Sequence, residues 1–331
     1  MKLKKCAALL LVSSCLLTGC TTSSAKKVDS KYVVASLEKG NKTKNIFADN
    51  LYKDIIDNSS NNSTVFNAVL QNLVDQKFPV NDDMKEDAAT IIKQIKSAYK
   101  SNYGDNYKDS LNQALTSAGY KNLSEYRQKM IKQIQYANFL LDYIDDNFND
   151  VFNDYYQQCS PKYVSLIKIS VSDTSSPTDD ETSKLNEVKE LISNTDKSFG
   201  DIAQDYSNDS TSSKKGSLGI VDSKDTSGIA NSYGKDVFNA IEALSEGQVS
   251  DAIAGTDGYY FVKVTSTNKK DLKKELKKTD IDSPLLAYDD YLQYVVYDSY
   301  KVTYKDKSIK KIVQDVVKNA LNERKSGRGE A

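Results

Sequence analysis

The 331-residue chain contains no histidine. Any site in it must therefore work without the side chain most used to move protons near neutral pH. Two segments have the texture of a site frame. Residues 206–219, YSNDSTSSKKGSLG, form a polar loop with Gly at its tight points. Residues 257–264, DGYYFVKV, read as a short strand entered through a Gly turn, with aromatic and β-branched residues alternating. Of the four cysteines, Cys159 has no His to activate it and reads as a small buried residue. The carboxylates are dispersed, so no metal set is expected. The Gly-Ser-Leu-Gly run at 216–219 is too short to cradle a phosphate. No cofactor is expected.

The N-terminus narrows the setting. MKLKK is a basic region, and CAALLLVSSCLL is an apolar stretch too short to span a membrane stably. LTGC at 17–20 resembles the bacterial lipobox. That resemblance implies a lipoprotein signal peptide over 1–19, a lipid on Cys20 and a tether over 20–30. An ordinary secretory signal with an incidental cysteine is the competing reading. The implied location is the extracytoplasmic face of the cell membrane in a Gram-positive-type bacterium. Loss of 1–19 takes away Lys2, Lys4 and Lys5, which leaves 42 basic against 46 acidic residues, a net charge of −4 in place of −1. A mildly acidic chain is a poor nucleic-acid binder. Cys6 and Cys15 leave with the signal, so Cys159 has no partner for an intrachain disulfide.

With 39% hydrophobic and 27% charged residues the chain is globular, and it is long enough for two domains. Phe66, Val69, Leu70 and Leu73 share one helix face within 64–78. The same spacing predicts helices over 82–103, 107–118 and 123–148, then a short one, DVFNDYYQQ, before Pro161. The texture changes at KYVSLIKISV (162–171), which alternates with period two. Helices follow over 180–194 and around Phe199, Ile202 and Tyr206. Then come SLGIV, a helix near 234–243, GQVSDAI and DGYYFVKV, an α+β order. Helices return over 284–300 and 307–321, and RKSGRGEA reads as a disordered tail over 324–331. Two closing helices are too few to bury their own faces, so they are expected to pack on the N-terminal ones. The expected fold is therefore α+β. A helical module is made from 31–160 and 269–323, and an α+β domain with a small antiparallel sheet is inserted over 161–268.

The inserted segment resembles a parvulin domain, and the chain over roughly 30–320 resembles PrsA-type foldase lipoproteins. The residues that carry the likeness are FGDIAQDYSNDSTSSKKGSLG (199–219), ALSEGQVSDAI (243–253) and GYYFVKV (258–264). VVASLEKGNKTKNIFADNLYKDI, where the family has its first strand and helix, and KVTYKDKSIKKIV, where it closes, agree with it. Each motif is weak alone and fairly specific in combination. The resemblance implies a peptidyl-prolyl cis-trans isomerase, or rotamase, that assists the folding of secreted proteins. The helical module would hold unfolded chains in the manner of a chaperone. The implied partners are unfolded or newly secreted polypeptides and the membrane, with no nucleic acid; a homodimer is left open.

The family frames its proline pocket with two histidines, a Cys or Asp near the amide, and apolar residues. By that correspondence the histidine positions fall on Lys168 and Tyr260, and the Cys/Asp position falls on Asp209. The small hydroxyl position falls at Thr256 or Asp257, and the pocket draws on Ile229, Val237, Phe238, Leu244 and Tyr260. Two readings stand. In one, Tyr260 supplies a hydroxyl, Lys168 a charge, and Asp209 abuts the amide. In the other, Lys168 pairs with Asp209, Tyr260 fills space, and a groove of weak or lost catalysis only grips peptide. A solute-binding lipoprotein would show two lobes of repeated βα units, and a structural surface lipoprotein would show long polar repeats or a Thr/Pro stalk.

Overall fold

The computed structural model of the protein describes residues 27–39, 42–194, 196–255, 257–277 and 281–330. Cys20 and Thr256 lie outside the described residues. In chain order the first elements are strands β1 (Lys27–Val28), β2 (Lys31–Lys39) and β3 (Lys42–Phe47), then helices α1 (Ala48–Asp57), α2 (Asn62–Lys77), α3 (Asp82–Tyr103), α4 (Tyr107–Ser117), α5 (Leu123–Asp146) and α6 (Phe148–Cys159). Strand β4 (Lys162–Ile169), helices α7 (Asp179–Asn194) and α8 (Phe199–Tyr206), β5 (Ser217–Val221), α9 (Ile229–Tyr233), α10 (Lys235–Ala243), β6 (Ile253–Ala254) and β7 (Tyr259–Ser266) follow. Helices α11 (Lys269–Leu276), α12 (Leu292–Asp298) and α13 (Lys307–Gly327) close the chain. The fold is α+β, with helices and small antiparallel sheets. Every strand pair among the described residues is antiparallel, so the parallel βα lobes of a solute-binding protein are not what this chain forms.

The chain forms two compact units, one of Asn81–Asp290 and one of the residues up to Val80 with those from Tyr291 onward. In the latter, β2 and β3 make a hairpin where the sequence suggested one strand, and α2 packs on α13. Phe66, fully buried on α2, stacks on Tyr294 at 4.9 Å and meets the edge of Tyr297 at 5.2 Å. The closing helices thus gain from α2 the apolar contact they lack alone. Asp306 caps α13 through Ser308 N and Ile309 N at 2.7 and 3.0 Å. That helix runs to Gly327, past the point where the tail was expected, because its last turns are Glu, Arg and Lys, good helix formers at the terminus that favours cations.

In the Asn81–Asp290 unit the two longest helices, α3 and α5, start on polar caps. Asn81 accepts from Met84 N and Asn122 from Glu125 N, each at 2.9 Å. Helix α5 buries Met130, Ile134, Phe139 and Ile144 on the face its spacing predicted. The four-stranded sheet has the order β5-β4-β7-β6. Val164 and Leu166 of β4 with Val262 of β7 face one side, where Ile229, Val237 and Ile241 of α9 and α10 cover them. Ile167, Ile169 and Phe261 face the other, under Leu185, Val188, Phe199 and Ile202 of α7 and α8. Period-two alternation along one strand thus feeds two cores.

The helix expected over 284–300 is broken. A 3-10 turn covers Pro284–Leu286 and α12 begins at Leu292. Between them Tyr288 is pinned from both ends. Its hydroxyl donates to Asp154 Oδ2 at 2.8 Å, and its carbonyl accepts Lys224 Nζ at 2.7 Å. These two bonds hold Tyr288 in the stretch between the 3-10 turn and α12. The apolar stripe read as one face is shared between the units, with Leu285 and Tyr288 in the first and Leu292 and Val296 in the second.

A proline-site frame of tyrosines and carboxylates

The site is built by strand register. In the β4–β7 ladder Lys168 stands directly opposite Tyr260. Lys168 lies two positions beyond Leu166, so it shares the face covered by α9 and α10. The loop after α8 is zipped to the same strand. Asn208 N donates to Lys168 O at 2.8 Å, and Ser207 Oγ accepts from Lys168 N at 3.0 Å and from Asp209 N at 3.2 Å. Asn208 Oδ1 accepts from Ser170 N at 3.0 Å. These bonds carry Asp209 to the end of β4, where its Oδ1 accepts Thr211 N at 2.8 Å.

Around this end one carboxylate, that of Asp257, takes two donors. Tyr260 OH lies 2.5 Å from Asp257 Oδ1, and Lys168 Nζ lies 2.5 Å from Asp257 Oδ2. The ammonium also stands 5.8 Å from the centroid of the Tyr260 ring, within cation–π range. Tyr233 stands at the C-terminal end of α9. The Tyr233 and Tyr260 rings meet edge-to-face at 6.0 Å. Tyr260 is 4% exposed. Burial pushes its phenol well above the ordinary tyrosine range, and the bond to Asp257 and the charges of Asp257 and Asp209 push it further. Burial and then Asp209 do the same to Tyr233. Both phenols therefore stay protonated near neutral pH.

The anticipated site residues are thus brought together, with one pairing changed. Lys168 meets Asp257 and not Asp209, whose Oδ1 instead accepts Thr211 N. Ile229 and Val237 are buried in the cluster that holds Tyr260, and Phe238 and Leu244 pack against it half-buried. Gly255 makes room for the ring, since a Cβ there would stand 2.4 Å from Tyr260 Cε2. Tyr233, Ser207 and Asn208 were not anticipated. Ser207 and Asn208 sit in a segment already recognised as a polar loop. No spacing in the sequence links Tyr233 to Tyr260. Asp225 sets Tyr233 in place by capping α9 through Ile229 N and Ala230 N at 2.5 and 3.0 Å.

Residues 166–266 match the family model of the rotamase, PPIC-type PPIase domain. Over this segment the chain is similar to PPIC-type domains. The match begins inside β4, at Leu166, ends with β7 at Ser266, and holds Lys168, Asp209, Asp257 and Tyr260. The curated foldase protein PrsA of Staphylococcus aureus is 32% identical over 146 residues, which is 41% of this chain and 42% of that relative. The chain thus matches less than half the length of the curated relatives. Crystal structures of foldase PrsA from Streptococcus pneumoniae and Bacillus subtilis align at 20% identity and a TM-score of 0.39, over 85% and 86% of this chain and 99% and 98% of theirs. The resemblance to PrsA-type parvulin foldases rests on the family match and the curated relatives. No helix among the described residues is long and apolar enough to cross a membrane.

Proposed function

We propose that this chain is a membrane-tethered, extracytoplasmic foldase whose PPIC-type domain binds X-Pro segments of newly secreted polypeptides and isomerises them weakly. One observation carries the reading: Lys168, Asp209 and Tyr260 converge beside the apolar cluster of Ile229 and Val237 at one end of the β4–β7 pair. The uncatalysed barrier to X-Pro rotation is about 18–20 kcal/mol, and no bond is made or broken. Twisting the amide removes resonance, so its oxygen sheds negative charge and its nitrogen gains basicity. A carboxylate beside the oxygen, such as Asp209, is repelled less in the twisted state than in the planar one, and that difference lowers the barrier. An apolar seat for the ring strips water from the planar amide and acts in the same direction.

Activity is expected to be weak because the donors are occupied. Asp257 holds both the Tyr260 hydroxyl and the Lys168 ammonium. A charged ammonium at the groove also keeps it wetter than an apolar seat requires. Exchange NMR on a short X-Pro peptide, with a soluble form lacking residues 1–20 in catalytic amount, tests this. Accelerated cis-trans exchange that Asp209→Ala abolishes supports the isomerase. Perturbed peptide shifts without acceleration leave a holding groove. The tether is tested by lipid incorporation at Cys20, which Cys20→Ser must abolish together with membrane retention.

A further inference from the structure

We propose that the unit holding both chain ends docks on an anionic bilayer through an exposed face of α1 and a lysine stripe on α13; this rests on the tethered reading above. The first observation is charge. Residues 27–80 and 291–330 hold 16 Lys and Arg against 11 Asp and Glu, a net of +5, whereas 81–290 hold 25 against 35, a net of −10. A chain that is nearly neutral as a whole thus collects its positive charge in one unit. A negative surface attracts that unit and repels the other.

The second observation is where the charge lies. On α13, Lys307, Lys311, Lys318 and Lys325 recur at intervals of four, seven and seven, so they share one face along about 27 Å of helix. All four are exposed, and the buried Val313, Val317 and Ala320 lie on another side. Asp315 pairs with Lys311 at 2.5 Å, so Lys307, Lys318 and Lys325 carry most of the stripe's charge.

The third is an apolar face beside the stripe. Helix α1 packs on β2 and β3 yet buries no residue. Leu51, Tyr52 and Ile55 share one side of it, at i, i+1 and i+4, and are 46, 45 and 45% exposed. Tyr52 OH donates to Asp306 Oδ2 at 2.6 Å, and Asp306 immediately precedes Lys307. The apolar face therefore stands at the head of the lysine stripe. Apolar side chains, a tyrosine and flanking lysines are what a helix lying in a headgroup layer presents. Reach completes the case. Cys20, where the functional reading puts the lipid, precedes β1 by seven residues, which span at most about 25 Å. The acidic unit of a second copy is the competing occupant, but the tether keeps the bilayer, and not a copy, within reach.

The test uses the lipid-free chain from residue 21 onward, which keeps every described residue, so that binding reports the protein surface alone. It is floated with vesicles of phosphatidylcholine, or of phosphatidylcholine mixed with phosphatidylglycerol, at low and at high salt. Binding to the mixed vesicles is expected to be at least about tenfold tighter and to be lost at high salt. Amide exchange over 48–57 should slow on those vesicles. Lys307→Ala, Lys318→Ala and Lys325→Ala combined should weaken binding at least about tenfold, and so should Leu51→Ser with Ile55→Ser. Thermal midpoints should hold in both, because all five side chains are exposed. Equal affinity for both vesicles, affinity unmoved by the lysine changes, or no binding overturns the proposal. So does a chain that self-associates through these residues and leaves vesicles alone. Lipid incorporation at Cys20 is scored separately. A chain that takes lipid but ignores the vesicles keeps the tether and loses the docking; one that binds vesicles but takes no lipid keeps the docking and loses the tether.

Discussion

Lys168 and Asp257, 89 residues apart, form a 2.5 Å ion pair at the end of the β4–β7 ladder. The lysine side chain is 16% exposed and the aspartate 59%. The pair is therefore half in water, and Asp257→Ala should cost only about 1 kcal/mol in denaturant unfolding. The same change releases the Tyr260 hydroxyl and the Lys168 ammonium. Peptide exchange is expected to rise severalfold. A fall would mean that Asp257 aims these donors and does not merely occupy them.

Tyr155 and Asp222 are both fully buried and bonded to each other at 2.8 Å. Tyr155→Phe leaves the carboxylate short of one donor in a site that water does not reach. The expected cost is about 1–3 kcal/mol, read as a lower urea midpoint at unchanged slope. Because this bond joins α6 to the loop before α9, native-state amide exchange in α9 should also quicken in the variant.

Burial raises the phenols of Tyr155, Tyr233, Tyr260 and Tyr297 above their ordinary value, with acceptor bonds adding to it. A group whose folded pKa exceeds its unfolded one stabilises fully below the unfolded value. For tyrosine that value is about 10, and the contribution is lost as pH rises through the folded value. The thermal midpoint should therefore fall steadily above about pH 10. Tyr155→Phe should flatten that fall; an unchanged slope would count against burial as the cause.

Gly216 and Gly219 both take left-handed backbone, at φ 76° and 84°. Only the first is also crowded. A Cβ at 216 would stand 2.5 Å from Leu166 O and 2.9 Å from Ala203 Cβ, whereas at 219 it would meet open space. Gly219→Ala is expected to cost about 1–2 kcal/mol from the backbone alone. Gly216→Ala adds the steric clash and should cost about 3 kcal/mol or more. Comparable midpoints for the two would refute the contact-based account.

Local pattern determined much of this protein. Helical spacing placed α2 through α6, α7 and α8, and period-two alternation placed β4 and β7, because burial of an apolar face leaves its period in the chain. The polar loop at 206–219 was legible from composition, and with it Asp209. Tertiary structure decided what touches what. Whether Lys168 meets Asp209 or Asp257 depends on how a turn and a strand end are aimed, and no local propensity encodes that. Tyr233 meets the Tyr260 ring from a five-residue helix that Asp225 caps and that packs on the core beneath it. The stripe over 284–300 was broken by Lys224 and Asp154, distant residues that claim both ends of Tyr288. Periodicity records which side of an element is apolar. It does not record which neighbour covers that side, since many neighbours would bury it equally well and only packing of the whole chain selects one.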